Sequence, residues 1–232
     1  MTLETTTDDA VLPAEGGLRG RQRVRRRADI IDAARTLFAR DGVDETTVAS
    51  IAAAVGVSPP TVFNHFGSKD GVLIALIVEG TETARANHDW ATTTRHADLH
   101  GKLTSLLARV SRVTLDIADR RVWRYAEAAT VRQPETEVAE AYRQVNRELT
   151  VVLINFFAGY DLRLLRGDRG DPAVLGPMFH DLWTPLFIEL ITQEDMTLSD
   201  HNTRVSARMA DIMSMIFDPA SITHPAAKED RA

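Results

Sequence analysis

Three side chains within a short stretch, Thr61, Asn64 and His65, have the chemistry and the spacing to bind a nucleic acid. Hydroxyl and imidazole groups can hydrogen bond to phosphate oxygens, and an asparagine amide can make a two-point contact with adenine. Residues three and four apart share one face of a helix, so a helix here would present all three together. We expect this face to contact a duplex; an ordinary solvent-facing position is the alternative for Asn64.

Such a face requires a helix that is held rigidly against a supporting helix by a tight turn. The sequence predicts a supporting helix that follows Thr47 and ends at Gly56, because glycine readily adopts the left-handed backbone of a sharp turn. The next helix is expected within 58–66, beginning at Pro60, because Pro59 precedes a proline and should avoid the helical region. The residues expected to point inward are Val48, Ile51, Ala52, Val55, Val57, Val62 and Phe66.

Two further helices should frame this pair. An apolar face begins at Ala28 and predicts a first helix that stops at Gly42. The fourth helix should begin at a cap that is either Ser68 or Asp70.

The segment from Thr46 to Lys69 resembles the DNA-binding motif of the TetR family of regulators in both residue type and spacing. The resemblance is at the level of motifs for about residues 28–75 and at the level of architecture for the rest of the chain. The residues that match the family pattern are Thr47, Val48, Ile51, Ala52, Gly56, Val57, Ser58, Thr61, His65, Phe66 and Lys69.

The resemblance implies a repressor that binds a palindromic, double-stranded operator as a homodimer and is released by a small molecule. Carried over by position, it implies that Thr47 caps its helix and contacts a phosphate, as do His65 and Lys69. Pro60, Thr61 and Asn64 would face base edges. The full set of expected DNA-binding residues is Arg27, Thr47, Ser58, Pro60, Thr61, Phe63, Asn64, His65 and Lys69.

Two departures from the family pattern bear on this interface. Phe63 stands where the family usually has tyrosine, which removes one neutral hydrogen bond, worth about 1 kcal/mol. Ser50 stands where an acidic residue would complete a capping box with Thr47, so a weaker cap is expected.

Charge is distributed unevenly along the chain. The whole chain carries −6, yet residues 17–70 hold nine basic and six acidic side chains. Six arginines fall between Arg19 and Arg27. Beside a DNA-binding motif, this run is expected to contact phosphates or the minor groove; a solvated helix start is the alternative. A positive module on a negative body would orient the module towards a polyanion.

The remainder shows helical periodicity and no strand-like alternation, so the predicted class is all-α with about nine helices. We expect a disordered tail over 1–20, a DNA-binding domain over 21–70, a helical ligand-binding and dimerisation domain over 71–219, and a flexible tail over 220–232. The absence of cysteine excludes disulfides and thiol catalysis. The polar start and the lack of long apolar runs predict a cytoplasmic protein with no membrane partner.

Two sets of residues in the larger domain are candidates for ligand binding and for subunit pairing. Large or amphipathic side chains predict a ligand pocket, with ordinary core as the alternative: Trp123, Tyr125, Phe157, Tyr160, His180 and Trp183. The last two long helices have more apolar positions than one packing face needs, which predicts a dimer interface formed by Phe179, Leu186, Phe187, Leu190, Val205, Met209, Ile212, Met213 and Ile216.

Other chemistry is weakly represented. His96 and His100 are four residues apart near Asp98, with His88 as a third candidate, but two ligands are too few to predict a metal site. No nucleophile elbow, phosphate-binding glycine loop or metalloprotease motif is present. We therefore predict no catalytic activity and no cofactor. A helical enzyme, or a DNA-organising or protein-binding module without an effector, remains the alternative.

Overall fold

The computed structural model describes residues 17–87 and 96–225. Within these ranges the chain has ten helices and no strand, which confirms the all-α prediction. The tenth helix, beyond the nine expected, is a single short turn. The helices are α1 (Leu18–Asp41), α2 (Val48–Val55), α3 (Pro59–Phe66), α4 (Lys69–Asn87), α5 (Leu99–Ile117), α6 (Arg120–Arg132), α7 (Glu137–Ala158), α8 (Pro172–Thr192), α9 (Leu198–Ile216) and α10 (Pro219–Thr223).

Both predicted tails differ from the structure at their inner ends. Helix α1 begins at Leu18, ten residues before the apolar face at Ala28 and inside the predicted tail over 1–20. Residues 1–16 lie outside the described part of the chain. At the other end α10 occupies 219–223 because Asp218 accepts a hydrogen bond from the Ala220 amide and caps the turn.

Helices α1 to α3 and the first turns of α4 form the N-terminal head. Its core is built from completely buried aliphatic and aromatic side chains: Ile30, Ala34, Phe38, Ile51, Ala52, Val62, Val72 and Leu73. Gly42 ends α1 with a φ of +90°, as the sequence predicts, because this left-handed backbone favours glycine. The Thr46 hydroxyl then donates a hydrogen bond to the Gly42 carbonyl at 2.7 Å, which holds the turn after α1.

Helices α5 to α9 form the body, and α7 packs along α8. The two helices approach so closely at Gly176 that a Cβ there would lie 2.8 Å from the Ile154 amide nitrogen. A cluster of three rings fills the centre beside this contact, with Phe157 and Phe179 4.9 Å apart and Phe217 stacked on both.

Two histidines tie α5 to α9. His201 and Ser111 are both buried, and the Ser111 hydroxyl lies 2.8 Å from His201 Nε2. Burial is the main cause that lowers the pKa of His201 below its ordinary value, so the ring is held neutral. His100 Nε2 lies 2.9 Å from the Ser206 carbonyl oxygen. The histidine is therefore bonded within the fold.

In the ranges that the structure describes, no group of three or more acidic or histidine side chains is placed to hold a metal ion. His88 lies outside those ranges. None of the described helices is long and apolar enough to cross a membrane.

Candidate functional site

The supporting helix α2 is fixed at its start by reciprocal hydrogen bonds. The Thr47 hydroxyl accepts from the Ser50 amide at 3.0 Å, and the Thr47 amide donates to the Ser50 hydroxyl at 3.0 Å. The expectation of a weakened cap was wrong, because the serine hydroxyl reaches the Thr47 amide that an acidic residue would otherwise bind. No acidic side chain is then needed in the first turn of α2.

The turn between α2 and α3 has the backbone that the sequence predicts. Gly56 adopts φ +71° and ψ +37°, and Val57 donates to the Ala52 carbonyl at 3.0 Å. Helix α3 begins at Pro59, one residue earlier than expected. The first-turn amides of a helix have no intrahelical acceptor, so prolines at 59 and 60 cost no hydrogen bond and their fixed φ suits a helix start.

One face of α3 is buried and the opposite face is exposed. Val62 is completely buried in the head core, whereas Ser58, Pro60 and Asn64 are exposed and Thr61 is partly so. The Ser58 and Thr61 hydroxyls lie 3.0 Å apart. The Phe63 ring is 51% exposed, although an aromatic ring normally packs away from water. The structure thus brings these predicted contacts together on one outward surface.

His65 lies at the edge of this surface and is half-buried. Burial, followed by the charges of Arg23, Arg27 and Arg26, lowers the pKa of His65 below its ordinary value. The neutral ring can still donate one N–H to a phosphate, and the same phosphate would favour the protonated form.

Arg27 bonds within the head, although its side chain is 37% exposed. Its guanidinium forms an ion pair with Glu79 of α4, with Nε 2.9 Å from Oε1, and Nη1 donates to the His65 carbonyl at 3.2 Å. The guanidinium also lies 4.4 Å from the centre of the Phe66 ring. Arg27 therefore forms a clamp that joins α1, the end of α3 and α4, and the DNA contact predicted for it would compete with these bonds. The sequence did not indicate this role because Glu79 is 52 residues away.

Lys69 also bonds within the head. Its ammonium donates to the Val43 carbonyl at 2.6 Å and to the Asp44 carbonyl at 3.1 Å. Ser68 provides the cap for α4, because its hydroxyl accepts from the Gly71 amide at 2.9 Å, which settles the choice between Ser68 and Asp70. An ammonium group has three N–H donors, and these two carbonyls accept from two of them. The phosphate contact predicted for Lys69 would use the third.

Comparison with known proteins bears on this head most directly. Residues 30–76 match the family described as bacterial regulatory proteins, tetR family. The head of this chain is therefore similar to the DNA-binding domain of the TetR family. It is 43% identical over 61 residues to the HTH-type transcriptional repressor Rv1474c of Mycobacterium tuberculosis, covering 26% of this chain and 33% of that protein. It is 45% identical over 65 residues to the HTH-type transcriptional regulator TcmR of Streptomyces glaucescens, covering 28% and 29%. The chain thus spans about a third of each relative's length.

The fold similarity extends beyond the head. A putative TetR-family transcriptional regulator from Mesorhizobium loti superposes with a TM-score of 0.63 at 18% identity, covering 85% of this chain and 99% of that one. At this identity the match concerns the fold alone. The fold of the helical body is therefore similar to that of the Mesorhizobium loti protein.

A cavity of about 670 Å³ lies between α4, α5, α6, α7 and α8. Its volume lies within the range of about 300–1,000 Å³ that is common for small-molecule sites. Three of the six predicted pocket residues, Trp123, Tyr160 and Trp183, lie in its wall. Polar groups are also present, including the Arg85–Glu148 ion pair, whose closest atoms are 3.5 Å apart.

The other three predicted pocket residues do not line this cavity. Phe157 is buried in the ring cluster with Phe179. His180 is buried 6.5 Å from the Trp183 ring centre. Tyr125 is partly buried and packs against the core, and burial, followed by the charges of Asp70 and Asp44 of the head, raises its pKa above the ordinary value.

Helix α7 supplies the largest share of the wall, which the sequence analysis missed. Its lining side chains recur at helical spacing: Tyr142, Val145, Leu149, Val152 and Phe156. That spacing was visible in the sequence, but it equally describes a helix that packs against a solid core.

The predicted dimer residues lie almost entirely inside the protomer. Seven are buried in its own core: Phe179, Leu186, Phe187, Leu190, Val205, Met209 and Met213. Ile212 and Ile216 are partly buried and pack against the same core. The seven buried side chains cannot meet a partner while the protomer keeps this fold, so for them the prediction identified the wrong face of each helix.

The outward face of α8 carries apolar side chains of its own. Val174 is 61% exposed, Pro185 is exposed, and Met178 and Ile188 are partly exposed; successive members are four, seven and three residues apart, and the exposed Asp181 lies within the gap of seven. Helix α9 has an outward stripe of small residues at spacings of three and four residues: Thr203, Ala207, Ala210 and Ser214. Small side chains allow another helix to approach closely, and an apolar stripe gains free energy when it is covered.

Proposed function

We propose that this chain is a transcription regulator that inserts α3 into the major groove of duplex DNA. The exposed face of α3 carries this proposal, because Pro60, Thr61 and Asn64 project from a helix whose opposite side is locked into the head. Arg27 reinforces this arrangement through its bond to the His65 carbonyl. Asn64 would contact adenine, and Pro60 would offer apolar surface to a thymine methyl. Such a protein acts on the chromosome, so we place it in the cytoplasm.

We further propose that two copies bind together. Successive major grooves on one side of a duplex are about 34 Å apart, so a palindromic operator is best read by two heads related by a twofold axis. The outward faces of α8 and α9 are the proposed contact between the copies, as the two halves of a four-helix bundle.

The cavity supports a role as a repressor released by a small molecule. Thr81, Ala84 and Arg85 of α4 line the cavity, whereas Lys69 and Glu79 of the same helix bond to the head. A ligand that displaces α4 would therefore alter the position of α3, and heads at the wrong spacing lose operator affinity. The cavity favours this function over a module that senses nothing.

The DNA-binding proposal can be tested at Asn64. We expect Asn64→Ala to weaken binding to the operator by about tenfold to a hundredfold, because a two-point base contact is worth about 1–3 kcal/mol. Binding to mixed-sequence duplex at low salt should be unchanged. The measurement is a titration with duplexes from the DNA that flanks the chain's own gene. Gln133→Ala, which removes an exposed amide at the end of α6, serves as the control. Unchanged operator preference in the Asn64 variant would contradict the base contact.

Ligand release can be tested at Val152, which lines the cavity. We expect Val152→Trp to bind the operator with wild-type affinity and to lose its response to compounds that release the wild type, because the indole fills the space. The compounds are selected by a release screen on the wild-type complex. Val131→Trp places the same ring at a site that is 80% exposed and should respond normally. A Val152 variant that is released as readily as the wild type would rule out this cavity as the effector site.

A further inference from the structure

The first nine residues of α1 extend beyond the folded head. Every described side chain from Arg19 to Arg26 is exposed, and Val24, the one apolar residue among them, is 71% exposed. The first side chain that is even partly buried is Arg27, which forms the clamp to α3 and α4. Packing within the protomer therefore does not explain why the helix continues through this segment.

The segment's own sequence opposes a helix in isolation. Like charges repel at four-residue spacing in the pairs Arg19 with Arg23 and Arg21 with Arg25. The first turn contains no acidic residue, and Gly17 provides no side-chain cap, so the positive end of the helix dipole faces further positive charge. An external polyanion would remove both penalties and so stabilise the helical form.

Helical geometry divides the arginines into two faces. At about 100° per residue, Arg19, Arg23 and Arg26 lie within about 60° of one another, whereas Arg21 and Arg25 lie on the opposite side. Arg27 fixes the rotation of this helix, because its Nη1 bonds to the carbonyl of His65 at the end of α3. Arg23 is one turn before Arg27 and therefore projects on the same side as α3.

We propose that Arg19, Arg23 and Arg26 bind backbone phosphates of the duplex whose major groove receives α3, beside the groove itself. This inference rests on the proposed function and extends its footprint. An α-helix with side chains is about 10–12 Å wide, and the minor groove is about 6 Å wide, so this helical segment lies along the phosphates and does not enter the minor groove. The effect of Arg23 and Arg26 on the pKa of His65 agrees with their position on this side.

The two faces provide a matched pair of variants. Arg19→Gln/Arg23→Gln and Arg21→Gln/Arg25→Gln each remove two positive charges and one repulsive pair four residues apart. Each protein is titrated with mixed-sequence duplex and with duplexes that flank its own gene, over a series of salt concentrations. Each phosphate contact contributes about 0.9 to the slope of log affinity against log salt. We expect the slope to fall by about 2 per bound head in the first variant and to stay close to the wild-type value in the second.

Circular dichroism supplies a second readout. Addition of duplex should increase the helical signal of the wild type and of Arg21→Gln/Arg25→Gln by similar amounts. The increase should be smaller for Arg19→Gln/Arg23→Gln. Equal slopes in the two variants, with operator preference intact, would overturn this proposal and leave the proposed function standing. A wild type that binds neither probe would overturn both. If both variants lose the same affinity for heparin as for duplex, the arginines act by general charge attraction only, and the proposed phosphate contacts are overturned.

Discussion

Replacing Val174 and Ile188 of α8 with aspartate should turn the proposed dimer into a folded monomer with at least a hundredfold lower operator affinity. Both side chains belong to the outward stripe of α8, so a partner helix would bury the new carboxylates without counter-charges. An unpaired buried charge costs several kcal/mol, which exceeds what a helical interface can absorb. A monomer also loses the second head, and with it the advantage of two linked contacts on one operator.

The measurement combines sedimentation, which gives the oligomeric state, with operator titration and thermal unfolding. The matched control carries the same changes at Val131 of α6 and Val151 of α7, which are 80% and 53% exposed. We expect this control to remain dimeric. A Val174/Ile188 variant that sediments as the wild type does would exclude this face as the subunit contact.

A change at Phe187 should behave differently, although the sequence places it in the same predicted interface. Phe187 is buried against Trp183, with ring centres 4.9 Å apart. Removing a buried phenylalanine side chain costs about 3–5 kcal/mol, so Phe187→Asp should unfold the body and not merely separate two subunits. Comparing Phe187→Asp with the Val174/Ile188 variant therefore distinguishes unfolding of the protomer from dissociation of a folded dimer.

The head could be predicted from the sequence because its determinants are local. Thr47 and Ser50 are three residues apart, and the turn at Gly56 needs a backbone that few residues other than glycine adopt. The boundaries of α2 and the end of α1 could therefore be predicted, whereas the start of α1 at Leu18 could not, because its first residues have no apolar face. Helix α3 begins one residue earlier than predicted, at Pro59. The prediction applied the backbone restriction on a residue before proline, but it overlooked that the first amides of a helix need no intrahelical acceptor.

The roles of individual residues in the body were harder to predict because α8 is apolar on more than one face. Phe179 and Met178 are adjacent and similar in hydropathy, yet one is buried and the other partly exposed. The positions of α6, α7 and α9 against α8 decide which face turns inward, and these contacts join distant parts of the chain. The clamp at Arg27 was missed for the same reason, since its partner on α4 cannot be recognised from the arginine run.

Gly71→Ala should weaken operator binding by at least tenfold although the side chain it adds is a single methyl group. A Cβ at Gly71 would overlap the carbonyl oxygen of Phe66, the last residue of α3. Neither group is a flexible side chain, so the turn between α3 and α4 must open and carry α3 with it. Overpacking of this kind typically costs about 1–3 kcal/mol of stability. The larger effect should fall on binding, because a displaced α3 no longer fits the groove.

Gly67→Ala, four residues earlier in the same turn, separates these two effects. Gly67 has a φ of +74° but open space around its Cβ position, so alanine there adds about 1–2 kcal/mol of backbone strain without a collision. Both variants should therefore unfold at lower denaturant concentration than the wild type, by similar amounts. Only Gly71→Ala should lose operator affinity, by at least tenfold when measured well below its unfolding transition. If the two variants bind the operator equally well, the contact between Gly71 and the Phe66 carbonyl does not set the position of α3.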